Sequence, residues 1–339
     1  MSPPNLKRIA EIAGVSVSTV SRALHQHPRI PQSTREHIAK IASDLGYRPD
    51  ARLAQLMTHL RAGKRSRGSC NLGWLDTWND PEEGNHPWNR NYFLGAAERA
   101  EEAGYALDLI SAQELRRSPA RINSILKSRG IEGLILPQFF ADHPVAAKIA
   151  WADYSIVFLD EFHPQLPGSR VSAHASVNTM LMMRRLRELG YRRPGFWLSR
   201  FLDVTSLHAY SAFIPWAQHS WYPKPHLPVF PAHKIELDAY LKKHRPDVLV
   251  AATNTILEEL SELGFRVPED IGVSHVNLAE DVPGWAGIDQ SHWQIGQAAV
   301  DALIAQIQRH EIGVSRFSKQ IYIPGEWRDG FTARNVAAP

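Results

Sequence analysis

The sequence holds a single cysteine, Cys70, in 339 residues. No disulfide within the chain and no cluster of thiolate metal ligands can therefore form. No apolar run approaches the ~18 residues that a membrane-spanning helix needs. The opening residues, MSPPNLKR, lack the apolar stretch of a secretory signal. These absences lead to the expectation of a cytoplasmic chain with no membrane partner. Several enzyme signatures are missing as well: there is no G-x-S-x-G, no P-loop, no G-x-G-x-x-G after a strand and no H-E-x-x-H. The sixteen histidines are scattered, as structural or solvated histidines are. The expectation is a protein that is not an enzyme and holds neither metal nor cofactor.

What is present is unevenly distributed. Hydrophobic residues make up 44% and charged residues 22%, ordinary values for a globular chain long enough for two or three domains. The formal charge of +3 hides a division. Residues 1–68 contain twelve Lys/Arg and four Asp/Glu, a balance of +8, which leaves −5 on the remainder. A basic head on an acidic body points to a polyanion-binding module carried by a separate domain.

The head is organised around Leu6 to Leu24, LKRIAEIAGVSVSTVSRAL. It reads as two short helices about a tight turn at Gly14, where the backbone needs positive φ. Ile9, Ala10 and Ala13 form an apolar stripe that Val15, Val20 and Leu24 continue. Ser16 is placed to cap the second helix through the amide of Ser18 or Thr19. With Val20 and Leu24 inward, Val17, Ser18, Ser21, Arg22 and His25 fall on the opposite face, small and polar enough for a DNA major groove. A loop with Pro28 and Pro31 follows, then a third helix from about Gln32 to Leu45 that Gly46 ends.

The run AEIAGVSVSTVSRAL, followed by TREHIAKIASDLGYRPD, resembles the DNA-binding module of the lac-repressor (LacI/GalR) family of bacterial transcription regulators. The likeness is strong over residues 6–50 and moderate over most of the rest. It implies a three-helix helix-turn-helix head joined to a two-lobed α/β effector domain of the periplasmic-binding-protein type, each lobe Rossmann-like. The implied DNA contacts are Leu6, Ser16, Val17, Ser18, Thr19, Ser21, Arg22, His25, Arg29, Thr34, Tyr47, Arg52 and Leu56. Arg22 either reads guanine or holds phosphate. Leu56, on a hinge helix from Asp50 to about Leu60, either wedges into the minor groove or packs a dimer interface. Pro31 stands where relatives carry a capping serine. Arg61, Lys64, Arg65 and Arg67 extend the linker, as phosphate contacts or as a solvated tether.

Beyond Asn71 the pattern alternates strands and helices, βα after βα, with parallel-sheet character. The first series takes NLGWL, YALDLIS, GLILPQ and SIVFLDEF as strands. The second opens with VSAHA and continues through GFWLS, LPVF, DVLVAAT and DIGVSHVN. The expected division is a head at 1–49, hinge and linker at 50–69, a first lobe at 70–163 plus about 291–320, and a second lobe at 164–290 plus about 321–332.

Ligands of open α/β sheets bind beyond the carboxyl ends of strands. Matched to the family there, the candidate effector residues are Tyr92, Phe93, Asp160, His208, Asn254, Asn277, Trp285 and Gln290. His208 lies near the position of a family arginine. Thr255 and Asn277 replace family aspartates. Neutral donors and acceptors suit a neutral, hydroxyl-rich effector such as a sugar. The ten tryptophans either stack on such a ring or fill the core. The loop 76–90 is either a lid or an idle insertion. Partners expected from the resemblance are operator DNA, a small-molecule effector and a second copy of the chain, since the C-terminus lacks the heptads that the family's tetramers use. The competing reading is a sugar-binding or transport protein with no DNA role.

Overall fold

The computed structural model describes residues 6–24, 30–45, 71–76, 87–111, 114, 119–137, 145–160, 168–231, 235–278, 282–313 and 318–337. The head is three helices, α1 (Leu6–Ala13), α2 (Val17–Leu24) and α3 (Gln32–Asp44). Gly14 turns between the first two at φ +65°. Ile9, Val20, Ala23 and Ile38 are fully buried, with Ala10 and Ala42 beside them. This small core is apolar at helical spacing on all three helices, and each buried branched aliphatic contributes roughly 1.5–3 kcal/mol. Pro31 begins α3 with no side-chain cap bond. The expected hinge helix, the loop residues 25–29 and Gly46 lie outside the described residues.

The first sheet comprises β1 (Asn71–Leu75), β2 (Ala106–Ile110), β3 (Ile131–Pro137), β4 (Ser155–Leu159), β5 (Ser169–Ala173) and β10 (Gln320–Ile323). The order is β10-β5-β4-β3-β1-β2, and every pairing is parallel. Alternation along β3 and β4 assigns the two faces. Ile135, Val157 and Leu159 pack under α4 (Pro87–Glu102) and the long helix α11 (His292–Arg309). Leu134, Leu136, Ile156 and Phe158 pack on the other face, with α5 (Ile122–Ser128). Burial on both faces is what makes these strands read as continuous apolar runs.

The second sheet comprises β6 (Pro194–Trp197), β7 (Val248–Ala251), β8 (Gly272–Leu278), β9 (Gly287–Asp289) and β11 (Glu326–Arg328). Its order is β11-β9-β8-β7-β6, parallel except for the antiparallel β9–β11 edge. The helices α6 (Ala175–Glu188) and α8 (Ala209–Trp221) cover one face. The other is covered by α9 (Leu237–His244) and α10 (Ile256–Glu262). Thr332 then returns into this sheet, fully buried. Its Oγ1 donates to the Val273 carbonyl (2.8 Å) and accepts from the Ala286 amide (2.9 Å).

Several expectations need correction. VSAHA does not open the second series: β5 pairs with β4 and β10 in the first sheet. By strand membership the chain passes from the first sheet to the second after Ala173 and again after Ile323, later than the expected 163/164 and 320/321 boundaries. LPVF is not a strand, because residues 227–230 form no ladder. A short helix, α7 (Arg200–Thr205), precedes α8, and Leu207 and His208 at positive φ separate the two.

Three chain passages join the sheets side by side. The His174 amide donates to the Ile323 carbonyl (2.8 Å), and the Gly325 amide to Asn178 Oδ1 (2.7 Å). The Ser291 hydroxyl donates to the Pro324 carbonyl (3.1 Å). Near them α4 and α11 cross at backbone contact. A Cβ at Gly95 would lie 2.1 Å from the Trp293 carbonyl oxygen, and one at Gly296 2.0 Å from that of Tyr92.

Candidate nucleic-acid interface and ligand site

In the head, Ser16 Oγ accepts the Thr19 amide (3.1 Å) and lies 2.8 Å from Thr19 Oγ1. The cap thus fixes where α2 begins and which positions it turns inward. Val20 and Ala23 of α2 are fully buried. Leu6 opens α1, and Thr34 sits half-buried in the first turn of α3. His25, Arg29, Tyr47, Arg52 and Leu56 lie outside the described residues.

At the carboxyl edge of the first sheet, the Tyr92 hydroxyl donates to Asp160 Oδ1 (3.0 Å). Asp160 ends β4 at φ +62°, a conformation that costs a non-glycine residue about 1–3 kcal/mol and tends to mark functional positions. Burial, and then the Asp160 charge, push the Tyr92 phenol well above its usual range, so it stays a donor. His292, at the start of α11, packs edge-on against Tyr92, with centroids 4.9 Å apart. Burial pushes its ring down to about 4, against an opposing pull from Asp289. Phe93 meets Trp74 edge-on (5.5 Å) and leans on the core beneath. Buried Asn89 donates to Asp76 Oδ1 (3.4 Å), while its own Oδ1 has no hydrogen-bond partner among the described residues.

The second sheet presents Asn277 in the last two residues of β8, and Gln290, Asn254 and the segment holding His208 beyond the carboxyl ends of β9, β7 and β6. Gln290 Nε2 donates to the Val276 carbonyl (2.9 Å), which sets it next to Asn277. Asn277 Oδ1 is buried and has no partner among the described residues. Asn254 is exposed in the turn before α10. Thr255 is engaged within its own helix, donating to Glu259 Oε1 (2.6 Å). His208 is largely exposed, its Nδ1 3.0 Å from Asp203 Oδ2. Buried Asp203 also accepts the Ser211 amide (2.9 Å). Burial would raise this carboxyl, but the Ser211 amide and His208 outweigh it and hold it below the usual range.

One candidate is not brought to this edge. Trp285 precedes β9, at the opposite end of the strand, and is buried among Val273, Leu260 and Ile256, edge-on to His275 (5.8 Å). Three residues that sequence reasoning passed over belong beside the candidates: Asn89, Asp203 and His292. Only Asp203 carried a local signal, as an acid five residues before His208.

A family model described as "Bacterial regulatory proteins, lacI family" matches residues 5–50. That match places the head, and not the body, in the family's model. A curated relative, the ribose operon repressor of Haemophilus influenzae, is 22% identical over 324 residues, covering 89% of this chain and 92% of that protein. Among solved structures, the transcriptional regulator CelR in complex with cellobiose superposes with a TM-score of 0.60 at 18% identity, covering 97% of this chain and 100% of that one. The lac repressor dimer bound to operator and the anti-inducer ONPF does so at 0.56 and 20% identity, covering 98% and 99%. At such identities the structural likeness carries the fold alone. It leaves the ligand to be argued from the residues.

Proposed function

We propose that this chain is a ligand-responsive, sequence-specific DNA-binding repressor of transcription that works as a homodimer, and not an enzyme. The capped, serine-rich α2, within the segment that matches the family's head, is the observation that carries the reading. Each head inserts α2 into the major groove of a half-site, with Arg22 as base reader and Val17 and Ser18 tuning preference. Thr19, Ser21, Thr34 and the basic residues of the head hold phosphates, and Leu56 acts at the minor groove. The body divides into two lobes that follow the two sheets. The effector lies between their carboxyl edges, against Tyr92, Asp160, His208, Asn254, Asn277 and Gln290. The buried acceptors of Asn89 and Asn277 ask for donors, and a sugar supplies hydroxyls. The relatives named for ribose and cellobiose support that class. The protein acts in the bacterial cytoplasm, on the nucleoid when bound to DNA.

The test is a gel shift with selected duplexes at two salt concentrations. The repressor reading expects sequence preference and a log–log salt slope of about 0.9 per phosphate contact. Indifference to duplexes of every sequence, even in dilute buffer, rejects it in favour of a sugar-binding protein with no DNA role. A thermal-shift screen of carbohydrates then identifies the effector.

A further inference from the structure

A crevice of about 520 Å³ opens on the second lobe, lined by Arg184, Arg187, Glu188, Arg192 and Trp221. It lies between the last turns of α6 and α8, just before β6 begins, at the amino edge of the second sheet and so at the other end from Asn254 and Asn277. Its charge is the unusual feature. Residues 69–339 carry a formal −5, yet three guanidinium groups converge here. Among the described residues, Arg184, Arg187 and Arg192 have no carboxylate at ion-pair distance. Glu188, the one acid in the lining, is held by Arg185 at 2.6 Å. The carboxylate of nearby Asp247 accepts the backbone amides of Arg192 and Arg193 (2.6–3.0 Å), which fixes the turn.

Aromatic contacts and one hydrogen bond tie the two helices together here. Arg184 lies over the Trp221 ring (5.8 Å), and Trp216 meets that ring edge-on (5.4 Å). The Tyr222 hydroxyl donates to the Met183 carbonyl (2.5 Å), tying the end of α8 to α6. A helix C-terminus attracts cations, which accounts for Arg185 and Arg187. It does not account for Arg192, which lies beyond the helix, or for Arg184, which is stacked on an aromatic ring.

We propose that this crevice is a second ligand site, for a phosphoryl-bearing small molecule. A phosphoryl group offers several anionic oxygens to planar guanidinium forks, and Arg184, stacked on Trp221, loses little freedom on binding it. The volume exceeds that of a bare ion and matches pockets for small organic ligands. The site does not depend on the operator reading. Its test is calorimetry on the full chain with pyrophosphate as probe, at ~0.1 M salt. Single-site binding is expected, weakened roughly tenfold or more by the double variant Arg187→Gln, Arg192→Gln and strengthened by Glu188→Gln. All three positions are exposed, and thermal melts verify that the variants fold. Absence of binding at millimolar probe overturns the proposal. So does binding that the double variant leaves unchanged, which would place the anion on the basic head.

Discussion

Arg22 and His292 act at the scale of single residues, one through a contact with DNA and the other through its protonation state. Replacing Arg22 with alanine is expected to cost roughly 1–3 kcal/mol of specific binding and to relax preference at one base pair, read by gel shifts on a panel of single-base operator variants. His292 sets a pH dependence. Its folded-state value of about 4 lies below the ordinary imidazole value near 6.5, so the unfolded chain binds more protons between the two. Stability is complete above pH ~6.5 and falls as pH drops toward 4, by on the order of 3 kcal/mol from this group. Denaturant melts of His292→Gln should show a flatter profile across that window. An unchanged slope would remove His292 as its source. The sequence named Tyr92 and Asp160 separately. Their hydrogen bond spans 68 positions, and no local pattern encodes it. Trp285 illustrates the converse: an aromatic near a family ligand position is as easily core as contact, and burial decides.

Elements were legible in proportion to their apolar signal. NLGWL was read with the limits that β1 has, because four of its five residues are buried. The edge strands β10 and β11 alternate between exposed and half-buried and flank Pro324 and Gly325, so they carry almost none of that signal. The membership of β5 was hidden for another reason: a strand's sheet depends on where the chain returns, and residues 320–323 supply its outer neighbour. Two predictions belong here. Gly296→Ala drives a methyl into the Tyr92 carbonyl and should separate α4 from α11, lowering stability by about 1–3 kcal/mol in urea melts. Ser16→Ala removes the cap of α2 and should cost about 1 kcal/mol. That loss should reduce head helicity and operator affinity together, with the body's melting temperature unchanged.

For the whole molecule, the head was readable because fixed residues at fixed spacings converge on one small unit. The ligand was not, because its candidate residues come from the ends of five strands and from helices far apart in sequence. If an effector favours one arrangement of the lobes, its coupling to DNA affinity should amount to 1–3 kcal/mol, about five- to 150-fold. Operator titrations with and without the sugar found by thermal shift measure it. Equal affinities in both would make the sugar a bystander.

The last stretch of chain has a consequence for biosynthesis. Residues 320–323 complete one sheet, and residues 326–332 close the other. Neither half of the body has its full set of strands until residues 320–328 have been made, long after the head. A nascent chain therefore carries the head ahead of two open-edged sheets, and both stay open until residues 320–332 arrive.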